Sequence, residues 1–114
     1  MQLINRGVVI IKARQPFVDW INSTTPEEPP LTLAEVNREC TAVLVPDLGN
    51  EIETNEYLEP LKPKLLEMQL AGWYTDEQTW PRNRTARLFD AWFRLEVHSM
   101  VWDGAGTEII YEEL

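Results

Sequence analysis

Four consecutive β-branched residues followed by a lysine, Val8-Val9-Ile10-Ile11-Lys12, constrain this chain more than any other stretch. Such side chains are stiff at χ1 and favour extended backbone. The run is too short for a helix and shows no polar alternation, so it predicts a strand over 8–12 buried on both faces. A buried strand needs hydrogen-bonding neighbours and a cover. Thr41-Ala42-Val43-Leu44-Val45, closed by Pro46, supplies one neighbour over 41–45, and 97–102 supplies another. Asp103-Gly104-Ala105-Gly106 has turn chemistry, which allows a fourth strand over 107–111 to pair back as a hairpin.

The cover comes from four helical patterns. Phe17, Trp20 and Ile21 recur at i, i+3, i+4 behind Pro16 and predict a helix over 16–22. Residues 24–30 hold three prolines and no apolar anchor, which is loop composition. Thr32-Leu33-Ala34-Glu35 matches a capping box, with Leu31 and Val36 in the staple positions, and starts a helix over 33–39. Leu58, Leu61, Leu65 and Met68 form a stripe over 56–71, with a clean start near Pro60 and Gly72 as its left-handed end. Thr85, Leu88, Phe89, Trp92 and Leu95 form the inward face of a helix over 84–95, capped by Asn83, with Asp90 placed to pair with Arg87 and Arg94. At 114 residues the chain suits a single domain, 1–114. The expected class is α+β, a small three- to four-stranded sheet covered by helices.

Charge narrows the partners. The formal net charge is −9, and residues 27–60 set nine carboxylates against Arg38 alone, a local net of −8, while residues 1–26 are net +2. That balance argues against non-specific nucleic-acid binding and against an anionic membrane surface. No apolar run approaches the roughly 20 residues that span a bilayer. The opening residues lack the pattern of a secretion signal, and Cys40 is the single cysteine, so a cytoplasmic protein without internal disulfides is expected. The acidic stretch reads either as a solvated face or as a surface that steers a basic partner, with nucleic-acid mimicry as a third option.

The inventory for chemistry is thin. His98 is the only histidine. It could act as a base oriented by Asp76 or Glu77, with Arg84 or Arg87 holding an anionic substrate, or it could be a partly buried histidine bonded to a neighbour. Metal-ligand spacings and glycine-rich phosphate loops are missing, so no metal and no cofactor is expected. Cys40 reads as a small buried hydrophobe. Residues 73–81 are richer in signal: Trp73, Tyr74 and Trp80 lie within eight residues, interleaved with Asp76 and Glu77 and followed by Arg84 and Arg87. Aromatics beside mixed charge suit an interface or a ligand pocket; equally, they suit a cluster that pins a long connection to the core with indole N–H groups bonded to loop carbonyls.

Gly72-Trp73-Tyr74-Thr75-Asp76-Glu77, Trp80-Pro81, Asn83-Arg84-Thr85, Phe89, Trp92-Phe93 and His98-Ser99-Met100-Val101 together resemble a family of short bacterial cytoplasmic proteins of unassigned function. Asn5-Arg6, Gln15-Pro16-Phe17 and Trp20 resemble the same proteins, so the likeness spans most of the chain apart from the proline loop and the last ten or so residues. Pro60 and Pro63 depart from the family's middle helix. The resemblance implies a bacterial cytoplasmic protein in which residues 73–85 and His98 form one surface, and it brings no activity, cofactor or partner. The leading expectation is therefore a non-enzymatic interaction or regulatory module, binding a protein partner or a second copy through the acidic face and an aromatic patch of Trp73, Tyr74, Asp76, Trp80, Arg84, Arg87 and His98. The alternative is a small ligand-binding protein or hydrolase-type enzyme built on His98 with Asp76 or Glu77.

Overall fold

The β-branched run occupies the centre of the sheet. In the computed structural model, which describes residues 1–113, it lies in β2 (Arg6–Ala13), flanked by β3 (Thr41–Pro46) and β4 (Phe93–His98) in the order β3-β2-β4. Both pairings are antiparallel, with Val9 opposite Val43 on one side and Val97 on the other. A two-stranded ribbon joins β1 (Gln2–Leu3) to β5 (Trp102–Asp103). The helical segments are α1 (Gln15–Thr24), α2 (Leu33–Val36), α3 (Glu51–Leu58), α4 (Lys62–Trp73) and α5 (Ala86–Trp92), with 3-10 turns at Glu59–Leu61 and Glu77–Thr79. The class is α+β, as expected.

The helices cover one face of the sheet only. Val9, Ile11 and Ala13 of β2 are buried with Val45 and Phe93 against Phe17, Val18, Ile21, Leu66, Leu70 and Phe89. Val8, Ile10 and Lys12 point the other way and are half-buried, so β2 is not enclosed on both faces. An apolar run without alternation therefore marks here the middle strand of a one-sided sheet, whose outer face is shielded only by its strand neighbours.

The third strand is β4, not 97–102, and it begins inside the stretch expected to be helical to residue 95. Thr85 caps α5 by accepting from the Leu88 N–H at 3.1 Å, in place of Asn83, and the helix stops at Trp92. Phe93, Leu95 and Val97 then alternate with Arg94, Glu96 and His98, a strand period that overrides the helical stripe. Asp90 consequently pairs with Lys62 at 2.9 Å and not with Arg87 or Arg94. Residues 107–111 form no strand. The turn at Gly106 (φ +73°) is present, but Trp102–Asp103 is taken by β1, and among the described residues nothing pairs with the stretch that follows.

The capping box forms in both directions: Thr32 Oγ1 accepts from the Glu35 N–H at 3.2 Å, and Glu35 Oε1 accepts from the Thr32 N–H at 3.0 Å. Its helix, α2, is a single turn and ends at Val36, short of residue 39. The helix from α1 is longer than 16–22 at both ends. The 56–71 helix divides into α3, a 3-10 turn and α4. Asn50 opens α3 by accepting from the Glu53 N–H at 2.8 Å, and Pro60 and Pro63 each fall in a first turn, where a missing N–H costs nothing. The intervening 3-10 turn shifts the helical phase. Leu58, Leu65, Leu66 and Leu70 are therefore buried, while Leu61 and Met68 face outward.

Gly72 lies within α4 and has no positive φ, so it does not act as a left-handed end. A Cβ there would meet nothing within 4 Å. Gly72→Ala is expected to raise the unfolding free energy by about 0.5 kcal/mol by reducing the freedom of the unfolded chain. Urea denaturation checks this, and a loss of stability would place Gly72 in a conformation alanine cannot adopt.

Candidate functional site

The aromatic residues divide into those the core consumes and those it displays. The helical spacing of α1 sends Phe17 inward and Trp20 alongside it, their ring centroids 5.6 Å apart and stacked. Trp20 meets Tyr74 edge-on at 5.4 Å and Trp92 at 6.1 Å. Polar edges are satisfied by the connection that follows α4. Trp20 Nε1 donates to the Thr79 carbonyl at 2.9 Å, Trp80 Nε1 donates to the Tyr74 carbonyl at 2.8 Å, and the Tyr74 hydroxyl donates to the Ile21 carbonyl at 3.2 Å. Trp20 and Tyr74 thus pin this connection to α1, and Trp80 ties it to its own start at Tyr74.

Asp76 and Glu77 serve the same connection. The Asp76 carboxylate accepts from the Gln78 N–H at 3.0 Å and starts the 3-10 turn; the Glu77 carbonyl accepts from the Trp80 N–H at 3.1 Å, and the Glu77 side chain is exposed. Arg84 stands over the Trp80 ring at 5.6 Å and donates to the Pro81 carbonyl at 3.0 Å and to Glu67 at 3.3 Å. Its charge is engaged by a ring, a carbonyl and a carboxylate, which is a structural role. Arg87 is exposed on α5, and among the described residues it makes no ion pair.

His98 is elsewhere. It ends β4 opposite Val8, five residues and roughly 17 Å of strand from Phe93, where the aromatic cluster sits. The carboxylate near it is Glu96, with Nε2 3.9 Å from Oε2, and Lys12 approaches the same oxygen at 4.0 Å. The structure therefore does not bring His98 to Asp76 or Glu77, nor to the 73–85 surface. Glu96 was legible: two residues before His98 in a strand is the same face, once β4 is recognised as a strand. The hollow beside His98, between Gly7, Pro46, Asn50 and Thr54, holds about 80 Å³, small for an organic ligand. Among the described residues no group of three or more His, Cys, Asp or Glu is placed to hold a metal ion. No helix among them is long and apolar enough to cross a membrane.

Of the three aromatics in the expected patch, Trp73 is the displayed one, 40% exposed at the end of α4. It lines a groove of about 340 Å³ between α4 and α2, with Met68 and Gln69 on one wall and Glu35, Val36, Arg38 and Glu39 on the other. Gln69 Nε2 donates to Thr41 Oγ1 at 2.9 Å, tying α4 to the start of β3 across the groove floor. The capping box holds Glu35 in place. Its hydrogen bond from the Thr32 backbone N–H, then that from the Thr32 hydroxyl, keep the carboxyl below its ordinary value, and both fall on Oε1. All nine carboxylates of the acidic stretch are exposed, and Glu35 and Glu39 are those that line the groove with Trp73. Met68, Glu35 and Glu39 were absent from the expected aromatic patch because their meeting with Trp73 depends on how α4 packs. No family model, no curated protein and no solved structure matches this chain.

Proposed function

We propose that this chain is a non-enzymatic protein-interaction module, and that the groove between α2 and α4 takes a partner segment carrying a basic and an apolar side chain. The observation that supports it is the juxtaposition of exposed Trp73 and Met68 with Glu35 and Glu39. An indole face attracts both cations and apolar groups, a methionine adapts to either, and Glu35, fixed by its capping box, together with Glu39 outweighs the charge of Arg38 and steers a cationic partner into register. One wall is the helix α4, and Glu35 on the other is held by its capping box, so the site is largely formed before binding.

Selection of a displayed random-peptide library on the chain tests this. Enriched peptides should combine Lys or Arg with an aromatic or aliphatic residue, and Trp73→Ala should weaken them at least about tenfold, the usual cost of truncating an interface tryptophan. Glu35→Gln with Glu39→Gln should weaken the same peptides and flatten their salt dependence. Trp102→Ala, an exposed tryptophan outside the groove lining, serves as the comparison. Enriched peptides that bind the Trp73→Ala chain as well as the parent would refute the groove.

A further inference from the structure

We propose that residues 107–112 of one copy of this chain add as a strand to the free edge of β4 in a second copy, giving a reciprocal dimer. The stretch Thr107-Glu108-Ile109-Ile110-Tyr111-Glu112 has strand composition, yet Ile109, Ile110 and Tyr111 are 58%, 85% and 88% exposed. Among the described residues its backbone joins no ladder. The radius of gyration, 15.6 Å, exceeds the roughly 13 Å of a compact domain this long, in keeping with segments that stand off the core. Three consecutive large apolar residues left in water are the mark of a surface that pairs with something.

β4 is the fitting acceptor. It is an outer strand of the sheet, so one row of its backbone groups has no partner strand among the described residues. Its outward side chains read Arg94, Glu96, His98 and its inward ones include Leu95 and Val97. Setting Ile110 opposite Glu96 places Glu108 and Glu112 opposite Arg94 and His98, whichever way the added strand runs, and places Ile109 and Tyr111 on the face of Leu95 and Val97. A slip of one residue would lose both matches. The other edge offers no such complement: β3 carries no cation, ends on Pro46 and is flanked by Glu39 and Asp47.

A second copy is the occupant because one chain holds both halves of the match but cannot bring them together. With Trp102–Asp103 held on β1 and Ile4 N–H bonded to the Val101 carbonyl at 2.9 Å, a reversal at residues 104–106 would set 109–111 alongside 99–101, beyond the end of β4. Exchange between two copies removes that restriction and, by two-fold symmetry, forms the pairing twice. This surface is separate from the α2–α4 groove, so either proposal can fail without the other.

Sedimentation of the full chain over a concentration series should show a monomer–dimer equilibrium. Ile109→Pro together with Ile110→Pro, which removes a ladder donor whichever way the added strand runs, should raise its Kd at least about tenfold, and so should Arg94→Glu. Adding Glu112→Arg to Arg94→Glu should restore association if the strands run antiparallel, and adding Glu108→Arg should do so if they run parallel. For contact, isotope-labelled chain is mixed with unlabelled chain carrying a nitroxide on Glu113→Cys in a Cys40→Ser background; amide signals of 93–98 should broaden. A chain monomeric throughout, association indifferent to these substitutions, or broadening confined to chains that carry label and isotope together would each overturn the proposal.

Discussion

Replacing Phe17 with alanine is expected to lower the unfolding free energy by about 3–5 kcal/mol, much of the stability a domain of this size holds. Phe17 is 1% exposed, and its ring centroid lies 4.5 Å from that of Phe93, 5.6 Å from Trp20 and 6.2 Å from Trp92. It is thus the contact through which α1, α5 and β4 share one core. A methyl group in its place leaves a cavity whose walls are rings tied to other partners: Phe93 also stacks on Phe89 at 5.2 Å, and Trp20 is held by the Thr79 carbonyl. Walls so constrained collapse little, which puts the loss toward the top of the range. Urea denaturation followed by tryptophan fluorescence and by circular dichroism measures it, and the slope should match the parent. Trp73→Ala, which removes a larger but exposed side chain, should cost less than half as much. A Phe17→Ala loss below about 1 kcal/mol would mean that α1 is not docked through this ring.

The core was legible where one element answers one pattern. Val9 and Ile11 announce the central strand by β-branching, and Thr32 with Glu35 announces α2 by spacing alone, because the capping interaction is local. The boundary between α5 and β4 was not, because Leu95 belongs to two patterns at once. It continues the helical stripe of Leu88, Phe89 and Trp92 and the strand alternation of Phe93 and Val97. No glycine or proline separates Trp92 from Phe93, so tertiary pairing decides: β2 needs a second neighbour and takes residues 93–98. The site shows the same limit. Trp73 and Tyr74 adjoin in sequence, yet Tyr74 turns to Trp20 and Ile21 while Trp73 faces the α2 groove. Which of two neighbouring aromatics is displayed depends on where a helix ends against its neighbours, and no local spacing encodes that.

Lys62→Met should lower the unfolding free energy by about 2 kcal/mol, although it puts an apolar side chain of similar length at a position only 7% exposed. The Lys62 ammonium bonds Glu59 Oε2 at 2.7 Å and Asp90 Oδ1 at 2.9 Å, fastening the start of α4 to α5. Without it, two carboxylates converge on an apolar chain with no cation between them; both are about half exposed, and water moderates the penalty below that of a fully buried pair. Removing all three charges, by adding Glu59→Gln and Asp90→Asn, should therefore return part of the loss. Alkaline titration gives a second measure. Burial alone would depress the lysine pKa, but the hydrogen bonds to Asp90 and Glu59 and their charges outweigh it, so the folded value lies above the ordinary 10.5. A raised folded pKa means the stabilisation is complete below the unfolded value and disappears as pH climbs through the folded one. The gap between parent and Lys62→Met should accordingly be constant at neutral pH and narrow above about 10.5. A Lys62→Met chain as stable as the parent at pH 7, or a gap that stays constant into strong alkali, would show that the ammonium contributes nothing to holding α4 against α5.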